Sequence, residues 1–323
     1  MMAHKYTALH HILTHATNIL VVAHSRPDPD TIGATTALFH YLAEHEKSVT
    51  LTCADPFPQG FDDFLPPYTL TPTQDVNFDA FDVIIGADNI DRGFHSIINT
   101  INPHNHVTVG IDHHPHTTLH PDVLITNPAA SSTCEILYEF FTHINHTPSK
   151  EEASALAIGI LGDTRIFHNP NTSAHTLDIT AALVDAHAPL TRIIKQAFLT
   201  KRLATLHIWG SALKSARRLT PSGAIVSVIT HDIIRDKNIP EEELKEELKE
   251  VASLLCSVPH TPFALVLIQI DEHTIKGSLR AEKSTHTDTA AIAQLLGGGG
   301  HRLASGFEIR GTLRSNGDTW QVV

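Results

Sequence analysis

Short, almost wholly apolar runs alternate with longer stretches whose apolar residues recur every three or four positions over the first half of the chain. The runs at 18–23, 49–53, 83–87 and 107–111 are of the first kind, and they predict parallel strands covered on both faces. After Asp30, the residues Ala34, Ala37, Leu38, Tyr41 and Leu42 share one helical face. Ser132 with Glu135, and Ser149 with Glu152, have the spacing of a capping box. The first opens a helix striped by Leu137, Phe140, Phe141 and Ile144; the second opens an apolar helix reaching about Leu161. Helical spacing continues through roughly 173–187 and 190–217. This strand–helix–strand order predicts a doubly wound, mainly parallel α/β domain over 1–190.

The pattern changes at Thr220-Pro221-Ser222-Gly223. A strand at 224–229 leads to a helix at 241–255, striped by Leu244, Leu248, Val251 and Leu255. Glu241 stands four residues before Lys245, so the acidic and basic residues of this helix read as its solvated face. The runs at 263–270, 274–279 and 307–309 read as strands. A smaller α+β domain is therefore expected over 221–323, with 191–220 as a helical connection.

Composition narrows the classes. No apolar run approaches the ~20 residues of a membrane helix, and the N-terminus lacks the apolar core of a secretory leader. Cys53, Cys134 and Cys256 are odd in number and scattered, which excludes a disulfide framework and fits a reducing cytoplasm. The net charge of −12 argues against a broad surface for long nucleic acid, and leaves room for a short anion held locally. The 25 histidines outnumber the 23 lysines and arginines, which directs attention to metal.

Candidate ligands cluster behind the predicted elements. His24-Ser-Arg-Pro-Asp28-Pro-Asp30 follows the first strand, although Asp30 alone would serve as a helix cap. Asp88 follows the strand at 83–87, and Asp112-His113-His114 follows that at 107–111. Asp163 ends the apolar helix, where the macrodipole disfavours a carboxylate unless a cation pairs with it. Each has an ordinary explanation alone, and His10-His11 shows that paired histidines occur elsewhere. Together they offer imidazole and carboxylate without thiolate, a set suited to octahedral Mn²⁺. Two ions bridged by a carboxylate lower the pKa of a water and clamp a phosphate in line with it. Further on, the four glycines at 297–300 precede His301 and bring backbone N–H groups close to an anion. Arg280, ending a predicted strand, adds a bidentate phosphate partner.

In this order, His24/Asp28/Asp30, Asp88, Asp112-His113-His114, Asp163 and the glycine run with His301 resemble the DHH phosphoesterases with a C-terminal DHHA1 domain. The likeness runs from about 15 to 311 and is nearest to the branch of bifunctional oligoribonucleases (nanoRNases) and pAp phosphatases. It implies an active site in the cleft between a DHH and a DHHA1 domain. It also implies two Mn²⁺ ions, with Mg²⁺ as a substitute: one on His24, Asp28 and Asp88, the other on Asp30, Asp88, His113 and Asp163. Asp112 would orient His113, and His114 would contact the scissile phosphate. Arg280, Gly298, Gly299, Gly300 and His301 would hold the substrate's far end.

Four positions depart from the family pattern. Pro29 and Arg165 stand where glycine is usual, Ala34 where serine is usual, and Ser305 where alanine is usual. No implied ligand is lost. The substrates implied are short RNA oligonucleotides or phosphorylated nucleotides such as 3′-phosphoadenosine 5′-phosphate (pAp). Neither long nucleic acid nor a membrane is expected as partner, and a homodimer is left open. Dinucleotide phosphodiesterases of the same superfamily, or a nucleotide-binding regulator without turnover, are the alternatives. Arg165 and His168 bear on specificity. Histidines such as His10, His11, His104, His106 and His143 are read as composition on loops and polar faces.

Overall fold

A computed structural model describes residues 2–65, 67–88, 93–101, 105–114, 119–235, 239, 241–316 and 319–323. The chain divides into two units, Met1–Thr200 and Lys201–Val323. Unit 1 holds a six-stranded, wholly parallel sheet in the order β3-β2-β1-β4-β5-β6. Its strands are β1 (Asn18–Val22), β2 (Ser48–Cys53), β3 (Leu70–Pro72), β4 (Val83–Ala87), β5 (Val107–Asp112) and β6 (Val123–Thr126). β4 is buried along its whole length and β1 nearly so, as their unbroken apolar runs require. The chain order reverses between β1 and β4, the switch point where open α/β sheets bind ligands.

The helices of this unit are α1 (Met2–His15), α2 (Pro29–Glu44), α3 (Phe94–Ile98), α4 (Thr133–His143), α5 (Lys150–Asp163), α6 (Ala174–Asp185) and α7 (Leu190–Ile193). α7 runs into a π-helical turn at Ile194–Leu199. α5 is buried on every side from Glu152 to Leu161, so it shows no polar stripe. It lies along α2, and Gly33 and Gly159 allow that approach: a Cβ at 33 would stand 2.3 Å from the Ala155 carbonyl oxygen.

Some local expectations need correction. Asp28, not Asp30, caps α2, by accepting from the Thr31 amide. Ser149 and Glu152 make a full capping box. Ser132 caps α4, but Glu135 turns away and accepts from the Ser131 amide and hydroxyl, so no box closes there. The short edge strands β3 and β6, and α1 with its buried stripe Tyr6, Leu9 and Leu13, were not anticipated. His106 is buried rather than on a polar face, its Nδ1 donating to the Phe81 carbonyl at 2.8 Å. His104 lies outside the described residues.

Unit 2 begins with α8 (Leu203–Ser215), whose Ile208 and Ala212 join its core. The segment expected to connect the domains is thus shared: α7 packs with unit 1 and α8 with unit 2. A mixed sheet has the order β11-β12-β10-β9-β8-β7, with only the β8–β9 pair parallel. These strands are β7 (Arg217–Arg218), β8 (Ile225–Ile229), β9 (Ala264–Gln269), β10 (Thr274–Arg280), β11 (Gly299–His301) and β12 (Ala304–Arg310). Three helices accompany them, α9 (His231–Ile234), α10 (Glu241–Cys256) and α11 (Thr289–Gln294). A hairpin of β13 (Leu313–Asn316) and β14 (Thr319–Val322) closes the chain. Among the described residues no helix is long and apolar enough to cross a membrane. Cys53, Cys134 and Cys256 are free and buried.

Candidate metal centre

The C-terminal ends of β1, β4 and β5 and the facing ends of α2 and α5 bring every expected ligand of unit 1 together. Three overlapping groups result: His24, Asp28 and Asp88; Asp30, His113 and Asp163; and Asp88 with Asp112, His113 and His114. Within each group one ligand atom per residue lies within 4.8 Å of the others.

Asp88 is the hinge of the arrangement. Its Oδ2 lies 3.8 Å from His24 Nε2, and its Oδ1 lies 4.0 Å from His113 Nε2. One carboxylate thus presents an oxygen to each side. Thr31 Oγ1 donates to Oδ2 at 2.6 Å and Thr133 Oγ1 to Oδ1 at 3.3 Å, which sets the carboxylate plane. The hydroxyls of Thr31 and Thr133 escaped the sequence reading; their signal was adjacency to Asp30 and to the Ser132 cap.

His24 carries the sharpest evidence for a cation. Its Nδ1 donates to the Ser25 carbonyl at 2.7 Å, which leaves Nε2 facing the site. That Nε2 is buried and has no hydrogen-bond partner. Asp28 Oδ2 stands 3.6 Å away, too far for a hydrogen bond and suited to a shared ion.

Asp30 is wholly buried and held by the N-terminus of α4, accepting from the Thr133 amide at 2.6 Å and the Cys134 amide at 3.0 Å. Burial, then the charge of Asp163, push its carboxyl up to about 7. Burial and the charges of Asp30, Asp28 and Asp112 likewise hold Asp88 well above the usual carboxylate range. Burial alone would lower His113, but the Asp163 hydrogen bond and the surrounding carboxylates outweigh it and raise it to about 9. His113 Nε2 meets Asp163 Oδ2 at 3.0 Å, the cationic partner that a carboxylate at a helix C-terminus calls for. Carboxylates crowded this way repel unless a cation joins them.

Asp112 departs from its expected role. Its Oδ1 accepts from His114, at 2.9 Å from the amide and 2.7 Å from Nδ1. It therefore orients His114, whereas His113 is gripped by Asp163. The His114 side chain is 43% exposed, and its Nε2 is left as the ring's second polar atom.

In unit 2, Arg280, Gly298, Gly299, Gly300 and His301 line one groove of about 690 Å³, a size typical of small-molecule sites. Lys245, Lys249 and Lys276 share it, so it is cationic. The glycine run is not an open loop, since Gly299–His301 pairs with β12 as an edge strand. A Cβ at Gly298 would stand 2.2 Å from the Gly306 carbonyl oxygen, so close strand packing demands glycine there.

The model of the DHH family N-terminal domain matches residues 18–160, and that of the DHHA1 domain matches residues 225–316. The chain carries a DHH domain followed by a DHHA1 domain. These domains make it a phosphoesterase of a metal-dependent family, and the clusters around Asp88 could hold metal. This DHH protein is 26% identical over 299 residues to the bifunctional oligoribonuclease and PAP phosphatase NrnA of Bacillus subtilis, covering 90% of this chain and 89% of that one. It is 24% identical to the cyclic-di-AMP phosphodiesterase GdpP of the same species, over 94% of this chain and 47% of that protein. An exopolyphosphatase-related protein of Bacteroides fragilis shares the fold, with a TM-score of 0.81 and 22% identity, over 96% of this chain and 92% of that one.

Proposed function

We propose that this protein is a Mn²⁺-dependent phosphoesterase that hydrolyses short RNA oligonucleotides to nucleoside monophosphates, pAp to AMP, or both. The observation that carries the reading is the split of Asp88, one oxygen toward His24 and the other toward His113. His24, Asp28 and Asp88 would hold one ion; Asp30, Asp88, His113 and Asp163 would hold the second. The imidazole and carboxylate donors suit Mn²⁺, with Mg²⁺ the poorer fit to nitrogen ligands. Cys134 adds no thiolate, because burial and the charge of Asp30 keep its thiol protonated. When bound, such a pair supplies a low-pKa water and neutralises phosphate charge.

The remaining steps belong to side chains. Asp112 holds the His114 ring by Nδ1, leaving Nε2 to contact the scissile phosphate; a ring that also carries a proton on Nε2 would pass it to the leaving oxygen and return to the neutral form. The groove of Arg280 and His301 would take the substrate's other phosphate or terminal nucleotide. Few phosphates need pairing, which suits a chain of net charge −12. The relative NrnA is named for these two activities, which supports the choice of substrates. Three free thiols fit work in a reducing cytoplasm. The likeness to GdpP supports a second reading, a dinucleotide phosphodiesterase.

A side-by-side assay of dinucleotide RNA, pAp, cyclic di-AMP and pyrophosphate with Mn²⁺ tests the proposal. Dinucleotide or pAp should be turned over fastest. Preference for cyclic di-AMP would replace it with the second reading, and no turnover of any would replace it with a nucleotide-binding regulator. In addition, Arg280→Ala should raise KM by roughly 10-fold or more while metal content stays constant, since a charge-assisted hydrogen bond contributes ~1.5–3 kcal/mol. An unchanged KM would remove Arg280 from the substrate site.

A further inference from the structure

α2 and α5 run antiparallel. One end of the pair carries Asp28, Asp30 and Asp163. The opposite end holds a second group of nitrogen and oxygen donors that the phosphoesterase reading does not use. His40 and Glu44 lie one turn apart on α2, and Glu152 lies in the first turn of α5. One ligand atom from each lies within 4.8 Å of the other two.

Glu152 has no side-chain exposure. Its Oε2 is fully engaged, accepting from the Ser149 amide at 2.8 Å and meeting His146 Nε2 at 2.8 Å. Its Oε1 is buried with no hydrogen-bond partner, and so is His40 Nδ1, which faces it at 3.6 Å. Two buried orphan atoms in one place are costly, because each forfeits the hydrogen bond it made to water. Their separation is too long for a direct bond. A water at ~2.8 Å from both would see them at an angle of about 80°, which is strained. An ion at ~2.0 Å from both would see them at about 128°, within about 20° of the tetrahedral angle. Glu44 Oε1 lies 3.8 Å from Nε2, the other nitrogen of the His40 ring, and its side chain is half exposed, so it would have to swing toward the Nδ1 side to complete the set.

We propose that His40, Glu44 and Glu152 form a second metal site, for a divalent transition ion of the Zn²⁺ class, apart from the Asp88 centre. Two carboxylates balance a 2+ charge around a neutral imidazole. His146 and the Ser149 amide fix the Glu152 carboxylate from behind, the usual support for a ligating oxygen. The ion ties the last turns of α2 to the first turn of α5. It thereby pins the far end of the frame on which Asp28, Asp30 and Asp163 are mounted, and its role is structural.

The test is metal content of the whole protein after loading with Co²⁺ and removal of free ion. Wild type should retain one equivalent more than His40→Ala, and that equivalent should carry tetrahedral or five-coordinate Co²⁺ absorption. Glu44→Gln, whose side chain is half exposed and whose folding is not at risk, should weaken the same equivalent about tenfold or more. Equal content and equal spectra in wild type and both variants would overturn the site, and leave the two orphan atoms to a bridging water or a His40–Glu152 ion pair. These readouts do not depend on which phosphoester is cleaved.

Discussion

Asp88 adopts the left-handed conformation, φ +55°, with its amide donating to the Ile111 carbonyl at 2.9 Å. Aspartate tolerates that region better than most residues, and such strain collects at functional sites. Asp88→Asn keeps the shape and removes the bridging charge. Metal affinity should fall by more than the ~10–100-fold that loss of a ligand's supporting partner costs, and turnover should vanish. The metal-free variant should melt higher than metal-free wild type, because the buried like charges are relieved. Metal analysis and calorimetry with and without Mn²⁺ check both, and a lower melting point would refute the repulsion argument. Arg165 is a second strained residue, at φ +47° in the turn after α5, where the family usually has glycine. Arg165→Gly should raise stability by about 0.5–1 kcal/mol, read from the urea midpoint. The clustered side chains were legible in sequence as candidates because their chemistry is carried by the residue itself. The partner of Asp112 was not, because it depends on how a turn rotates two adjacent imidazoles.

The α2–α5 pair decides the precision of the centre. A Cβ on Gly159 would stand 2.2 Å from Cys134 Sγ and 2.6 Å from Asp30 Oδ1. Gly159→Ala should therefore cost about 1–3 kcal/mol, as overpacking does, and should also displace Asp30 and weaken metal binding. A variant with normal metal affinity and normal melting temperature would show that the helices separate freely. At the element scale, periodicity located α2, α4, α5 and the central strands, because each buries a continuous apolar face. It missed β3 and β6, which have three and four residues and too little pattern to read. The run at 297–300 carries no side-chain pattern at all, so its pairing with β12 could not be read from periodicity.

For the whole molecule, the metal-free protein should be destabilised by rising pH. Asp30 moves from an ordinary 3.8 to about 7 on folding, so the native state holds a proton that the unfolded chain has released. Stability is therefore lost as pH climbs from about 4 to about 7. His113, raised from 6.5 to about 9, contributes fully below 6.5 and loses that contribution as pH rises through 9. The two effects share a sign, so the metal-free melting temperature should fall between pH 5 and pH 9. Saturating Mn²⁺ should flatten that slope by supplying the missing positive charge, and an equal slope with and without metal would contradict it. The strand order has a consequence for synthesis. The candidate ligands meet at the switch between β1 and β4, yet they are drawn from His24 through to Asp163. A nascent chain that has not yet released α5 from the ribosome holds only part of the ligand set, and His113 lacks its anchoring carboxylate. If the cluster holds metal as proposed, capture would be a late event in the protein's biogenesis, gated by emergence of a helix whose apolar surface must itself be covered by its neighbours on every side.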